Sequence, residues 1–210
     1  MKRPSRIMII SWIAAALPAV RFIIAYAQGS YEPYPTLFLT QFSGTTAITF
    51  LLLSLACTPM RNIFSLSSLI QSRKVFGLTS FYYALVHALT FLVLDYQLKW
   101  NWLIPEFQNK PYLLLGLAAL LLLLVLALTS IRSFQKRTTD LWLKIHRWVY
   151  TAALLVLIHQ YFAIKGDKRT AIVYLVIFVI LMVLRIPFIK SKVRIKGEDG
   201  IQKINHWLLS

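Results

Sequence analysis

Three of the four histidines lie in or beside long apolar stretches, and they are the residues with chemistry to offer. His87 falls in the apolar run 75–94, His159 in the run 148–164, and His146 just ahead of the second. An ionisable side chain inside a membrane-length apolar segment is costly. It marks a functional site unless it only hydrogen-bonds a neighbouring helix. His87 stands seven residues before Leu94, which is roughly 10 Å below that end of its helix. His159 stands five residues before Ile164, roughly 7–8 Å below the same surface. Two imidazoles on different helices therefore reach similar depth. Such a pair can bind one haem iron from both sides, or take part in another metal site. No Asp or Glu lies in the runs near that depth, and Asp95 is the closest in sequence. Carboxylate-rich metal sites and transporter-type proton relays are disfavoured accordingly.

His146 precedes His159 by thirteen residues, about 19 Å along a helix. It can ligate a second, inner haem, contact another cofactor, or cap the helix end. Arg73 lies fourteen residues before His87 on roughly the same face. It cannot supply an imidazole, but it suits an anionic group such as a phosphate or a haem propionate, beside its plain role as a cytoplasmic charge. Ala84 and Ala152 lie on roughly the histidine faces and would leave room for a macrocycle. His206, in the polar tail, is assigned no role. Gly44, Gly77 and Gly116 match no phosphate-loop spacing, and no Walker, Rossmann or triad pattern is present. Cys57 is a lone cysteine in an apolar run and reads as a small buried residue.

The elements that must hold these groups follow from composition. The 210 residues are 58% hydrophobic and 14% charged, too apolar and too poor in charge for a soluble domain. Six apolar runs, at about 7–27, 44–58, 75–94, 112–130, 148–164 and 171–189, are long enough to satisfy their own backbone in lipid only as helices. The expected fold is all-α: a polytopic membrane protein, a bundle of six transmembrane helices. Residues 1–190 form the membrane domain and 191–210 a basic tail. The first run, with Lys2–Arg6 ahead of it and Ala25-Tyr26-Ala27 behind, also has the outline of a signal peptide, but its length favours a retained helix. No internal sequence repeat is evident.

Net charge is +16, and its distribution follows topology. Of 23 Lys and Arg residues, seventeen fall at the termini and in the second and fourth loops. Five fall on the other side: Lys99, Lys110, Lys165, Lys168 and Arg169. The positive-inside rule then places both termini in the cytoplasm. This pattern speaks against nucleic acid as a partner and leaves the Lys190–Lys196 stretch to rest on anionic lipid. Tyr31, Tyr34, Tyr96, Trp100 and Trp102 mark the outer interface, and Trp142 and Trp148 the inner one.

A family resemblance rests on Phe42-Ser43-Gly44-Thr45-Thr46-Ala47, Thr58-Pro59, Arg73-Lys74 with Gly77, Leu85-Val86-His87, Pro111-Tyr112-Leu113 with Gly116, and Ala127-Leu128-Thr129-Ser130. Its most specific part is Leu141-Trp142-Leu143-Lys144-Ile145-His146, then Val149-Tyr150 and Ile158-His159. From about residue 7 to 190 the chain resembles the MsrQ (YedZ) family. Those proteins are haem-binding membrane subunits of the bacterial methionine-sulfoxide reductase system, within the ferric-reductase-like transmembrane group. The resemblance implies b-type haem, one or two per chain, associated with His87, His146 and His159, and it implies FMN. It further implies a quinone pool or cytoplasmic flavin reductase as donor, a periplasmic MsrP-like molybdopterin subunit as acceptor, and the bacterial inner membrane as location. Arg73 stands where the wider group carries a fourth histidine. That departure leaves space for a flavin or quinone near Arg73, Lys74, Lys144 and His146. The chain then reads as an electron-transfer subunit rather than the catalytic one. The alternatives are a stand-alone ferric or quinone reductase, a transporter, and a cofactor-free scaffold.

Overall fold

The computed structural model describes residues 6–64, 69–131, 134–135 and 138–186. Arg132, Lys136, Arg137, Pro187 and the whole basic tail, with His206, lie outside the described residues. Among the described residues the main α-helices are α1 (Arg6–Ala27), α2 (Pro35–Phe64), α3 (Leu69–Leu89), α4 (Trp100–Asn109), α5 (Tyr112–Leu128), α6 (Thr139–Arg147), α7 (Val149–Ala163) and α8 (Arg169–Val183). A π-helical turn, Thr90–Asp95, extends α3. Among the described residues there is no strand. This is a multi-pass membrane protein. Four helical stretches are long and apolar enough to cross a bilayer: Arg6–Ala27, Pro35–Phe64, Leu69–Asp95 and Thr139–Ala163. The bent pair α4–α5 supplies a fifth if it counts as one span. Arg169–Val183, with 15 residues, is shorter than the roughly 20 residues a full crossing takes.

The expected runs are there, with different ends. The second expected run, 44–58, is the middle of a 30-residue helix. Pro35 opens it, where a missing N–H costs nothing, and Pro59 is accommodated inside it. Pro59 cannot donate to the carbonyl four residues back, that of Leu55. The Arg185 guanidinium donates to that carbonyl instead. The fifth run starts nine residues earlier than expected, at Thr139, because α6 continues into α7 through Trp148, whose N–H bonds Ile145. Where the sequence suggested only an outer loop, α4 forms. Leu103 is buried beneath it, Glu106 pairs with Lys110 one turn on, and α4 meets α5 at 104°. Pro18 does not interrupt α1, so the broken span expected of a transporter is not found there.

The chain divides into two compact units, and the division falls inside α2, α3 and α8. One comprises 1–30, 50–79 and 176–210. In it, the buried hydroxyls of Ser11 and Ser72 pair at 2.7 Å, Ser54 donates to the Arg73 carbonyl at 2.9 Å, and Phe50 packs on Phe76. Cys57 is buried, its thiol on the Leu53 carbonyl. The other unit comprises 31–49 and 80–175. Its contacts are lined by small residues: Ser43, Ala47, Ser80, Ala119, Ala152 and Ala153 are all buried. Lipid offers no hydrophobic drive for helices to associate, so close approach at small residues and interhelical hydrogen bonds hold them together. Ser80 donates to the Ala47 carbonyl at 2.8 Å, and Thr49 pairs with Tyr174 at 2.9 Å. Large apolar side chains instead point outward, as on α8 at Ile172, Val173, Val176 and Val179.

Candidate functional site

His87 sits near the C-terminal end of α3 and His159 near that of α7, both in the second unit. Their ring centres are 6.2 Å apart and their planes cross at 82°. The two helices bring these imidazoles together, one ring edge-on to the other.

Each ring is anchored through the same nitrogen. His87 Nδ1 lies 2.8 Å from the Thr40 carbonyl on α2, and His159 Nδ1 lies 2.8 Å from the Tyr112 carbonyl at the start of α5. A carbonyl only accepts, so both Nδ1 atoms carry the proton. In a neutral imidazole that leaves the lone pair on Nε2. Donation from Nδ1–H to a carbonyl fixes the tautomer and ring orientation of a metal-binding histidine and raises the basicity of the other nitrogen. Each ring also lies against a glycine, His87 on Gly44 and His159 on Gly116. Tyr112 packs on His159 with ring centres 5.8 Å apart. Asp95 closes the π-helical turn, where its carboxylate reaches the Thr40 hydroxyl and acts through space on His87.

This donor set fits an iron with two axial imidazoles. Two metal–nitrogen bonds of about 2 Å put the ring centres about 6 Å apart, since each centre lies about 1 Å behind its nitrogen. Among the described residues, no three His, Cys, Asp or Glu side chains converge into a closed metal site. Two ligands suit a metal whose remaining positions are filled by a macrocycle. The alanines expected to leave it room differ. Ala152 is fully buried and serves helix packing, while Ala84 is half-buried.

His146 stands on α6 with a different environment. Its Nδ1 donates to the Trp142 carbonyl at 3.1 Å, and its ring stacks on Trp142 with centres 4.2 Å apart. Its Nε2 is 3.5 Å from the Ser130 hydroxyl, which itself donates to the Leu126 carbonyl. Trp142 is thus a partner of His146, which the interface pattern alone did not reveal. An apolar recess lined by Leu122, Val125, Leu126, Ile145 and Trp148 opens on the same stretch. Lys144 is exposed on α6; Arg73 is half-buried and Lys74 exposed on α3, in the first unit. The residues that spacing did not single out are Thr40 and Tyr112, which act through their carbonyls, and Gly44 and Gly116.

The family described as ferric reductase like transmembrane component matches residues 43–157. Over 140 residues the chain is 36% identical to the protein-methionine-sulfoxide reductase heme-binding subunit MsrQ of Xanthomonas oryzae pv. oryzae (strain MAFF 311018). That match covers 67% of this chain and 64% of the Xanthomonas protein. Over 175 residues it is 33% identical to the MsrQ of Yersinia pseudotuberculosis serotype O:1b (strain IP 31758), covering 83% of this chain and 86% of that one. The MsrQ of Yersinia pestis (strain Pestoides F) is likewise 33% identical, over 83% and 85%.

Proposed function

The chain belongs to the ferric-reductase-like transmembrane family and, with its Yersinia relatives, to the MsrQ heme-binding subunits, and from that premise we propose that it is a membrane b-type cytochrome that carries electrons to a methionine-sulfoxide reductase catalytic subunit. The observation that carries this reading is the facing pair His87 and His159, each with Nδ1 tied to a carbonyl.

In this reading His87 and His159 hold one haem b, which when bound supplies one-electron chemistry at its iron. The protein's own part is to present two neutral imidazoles in fixed orientation. His87 and His159 would both hold the iron, and a haem so held would have no position left for oxygen, which would favour electron transfer over oxygen activation. The Thr40 and Tyr112 carbonyls hold the Nδ1–H groups of His87 and His159, which leaves Nε2 as the nitrogen that would bind iron. Burial among apolar helices excludes water and, with hydrogen bonding, sets the potential. The inner side is the entry. In the second unit, His146 and Lys144 are basic groups suited to a flavin phosphate or a second haem's propionates, and in the first unit Arg73 and Lys74 offer the same chemistry. The apolar recess beside Ile145 and Trp148 suits a quinone donor. At the exit, Lys99, Lys110, Lys165, Lys168 and Arg169 present positive charge to an acidic patch on a periplasmic MsrP-like partner. The topology that serves this is six spans, with α8 in the sixth. Both termini lie in the cytoplasm and the protein sits in the bacterial inner membrane. Residues 1–190 are the membrane domain and 191–210 a basic cytoplasmic tail, with the Lys190–Lys196 stretch as the part suited to anionic lipid.

The test is the dithionite-reduced minus oxidised spectrum of detergent-purified protein from haem-replete cells, with pyridine haemochrome quantification. Sharp b-type bands at one or two haems per chain are expected. A folded, colourless protein overturns the reading. Rapid reduction of an Fe(III) chelate by the purified protein without any partner would favour a stand-alone reductase instead.

A further inference from the structure

The pair α2–α3 and the pair α5–α7 seat their histidines in the same way. Each ring bonds a carbonyl 47 residues earlier in the chain. In each case the glycine under the ring is one helical turn after that carbonyl, Gly44 after Thr40 and Gly116 after Tyr112. The second set repeats the first at a constant offset of 72 residues: Thr40 and Tyr112, Gly44 and Gly116, His87 and His159. The buried small residues keep the same offset, Ala47 with Ala119 and Ser80 with Ala152. The further identities at this offset are mostly leucines, such as Leu51 with Leu123 and Leu85 with Leu157, besides Thr79 with Thr151 and Asp95 with Asp167. What is duplicated is a seat: a turn of one helix that offers a carbonyl to the ring edge and bare backbone to its face.

The bare backbone is required. A Cβ at Gly44 would lie 2.9 Å from His87 Nδ1 and 3.1 Å from Cε1. A Cβ at Gly116 would lie 2.8 Å from both Nδ1 and Cε1 of His159. These are rigid ring atoms. One edge of each ring is held by its carbonyl, and in the reading above the opposite nitrogen is held by iron. The ring can therefore yield only by turning its plane. Gly77, the other glycine within a described helix, is different: a Cβ there would meet only the Ser54 hydroxyl, at 3.4 Å.

We propose that Gly44 and Gly116 are positioning residues that hold the two imidazole planes crossed at close to a right angle, and through that angle set the electronic state and reduction potential of the haem between them. This rests on His87 and His159 being the axial ligands. The chemistry is that of the iron d orbitals that overlap the imidazole π systems. Parallel planes raise one of them above the other and give a rhombic low-spin spectrum. Crossed planes leave the two nearly equal in energy and give a spectrum dominated by one large g value. The 82° between the rings predicts the second kind. Orientation and hydrogen bonding of axial ligands are among the protein's levers on haem potential.

The test compares Gly44→Ala, Gly116→Ala and Gly77→Ala in haem-loaded, detergent-purified protein by EPR of the oxidised form and by potentiometric titration. Wild type is expected to show the large-g signal. Gly44→Ala and Gly116→Ala should each move it toward rhombic and shift the midpoint potential, and Gly77→Ala should leave both unchanged. Unaltered signal and potential in the first two variants, with haem retained, would overturn the proposal. Should a methyl expel the haem altogether, melting temperature decides. Gly44→Ala should lower it with His87 present and raise it in a His87→Ala background, because alanine is the better helix former once the ring is gone. An equal loss in both backgrounds would make Gly44 a helix-packing residue and overturn the proposal. If His87→Ala or His159→Ala keeps the haem, the ligand assignment fails instead, which is a separate and visible result.

Discussion

Replacing His87 and His159, singly and together, tests the site most directly. A gap of 6.2 Å between ring centres has room for one iron held by two bonds of about 2 Å, and not for two irons each with a second ligand of its own. The two histidines are then a single unit, and their effects cannot add. His87→Ala should lower the haem-to-protein ratio by one, His159→Ala by the same one, and the double variant by no more. If the rings were only packed edge to face, which also places aromatic centres about 4.5–7 Å apart, the outcome differs. Each substitution would then cost an interhelical hydrogen bond, about 0.6 kcal/mol on average in membrane proteins, and leave the colour intact. A glycine variant gives a positive control. In His159→Gly the ring's place is vacated beside Gly116, so added imidazole should restore the low-spin spectrum. Pyridine haemochrome on the four proteins, normalised to protein mass, is the assay. Half the colour lost in each single variant and all of it in the double would refute the shared iron.

Four further outcomes follow from the same geometry. His146→Ala should keep the haem held by His87 and His159, and slow reduction from the inner side or remove only a second haem; loss of all haem would contradict the separation of the two sites. Arg185→Leu leaves the Leu55 carbonyl without the donor that compensates for Pro59, which should cost about 1–3 kcal/mol; Pro59→Ala in that background restores the helical N–H and should recover most of it, measured by thermal unfolding in detergent. Asp95→Asn removes a negative charge that acts on His87, so the oxidised iron loses support and the midpoint potential should rise, less so at high salt because Asp95 is exposed. Single cysteines replacing Lys99 or Lys168, in a Cys57→Ser background, should react with an impermeant maleimide from the outer side, and one replacing Lys144 should not; the reverse pattern would invert the topology.

That the apolar runs are helices is legible from their length and composition; that all six cross the bilayer is not, since four of the described helical stretches, or five with the bent pair, are long and apolar enough. The histidine pair was legible too, because both rings count back a similar number of residues from a shared surface. The ends of the helices were not legible. Pro59 looks like a stop signal in sequence, and only the Arg185 side chain, more than a hundred residues away, explains why the helix continues through it. Helix α4 was hidden because its one buried anchor, Leu103, gives no periodic signal in ten residues. Gly44 and Gly116 match no phosphate loop and stand out in sequence only as parts of the family resemblance, with nothing to tie them to the histidines. What would have found them is the equal spacing of Gly44 to His87 and Gly116 to His159. A repeat of so few residues is invisible to sequence similarity, yet it suffices to duplicate a ring's surroundings.

That economy follows from the solvent. In water, a buried histidine is held by the core packed around it, and many side chains share the work. In lipid, helices gain little from apolar contact with one another, so orientation must come from short polar contacts and close backbone approach. Thr40 and Gly44 hold His87, and Tyr112 and Gly116 hold His159, each across the gap to a neighbouring helix. Each hydrogen bond therefore does two jobs at once: it joins α2 to α3, or α5 to α7, and it fixes the ring so that Nε2 is the nitrogen left free. A ligand that takes both nitrogens ties the two pairs together, and its binding energy becomes stability of the assembled helices. In the proposed site the same residues would set both the position of the cofactor and the closure of the helices around it, which gives the repeated rings, carbonyls and glycines a common task.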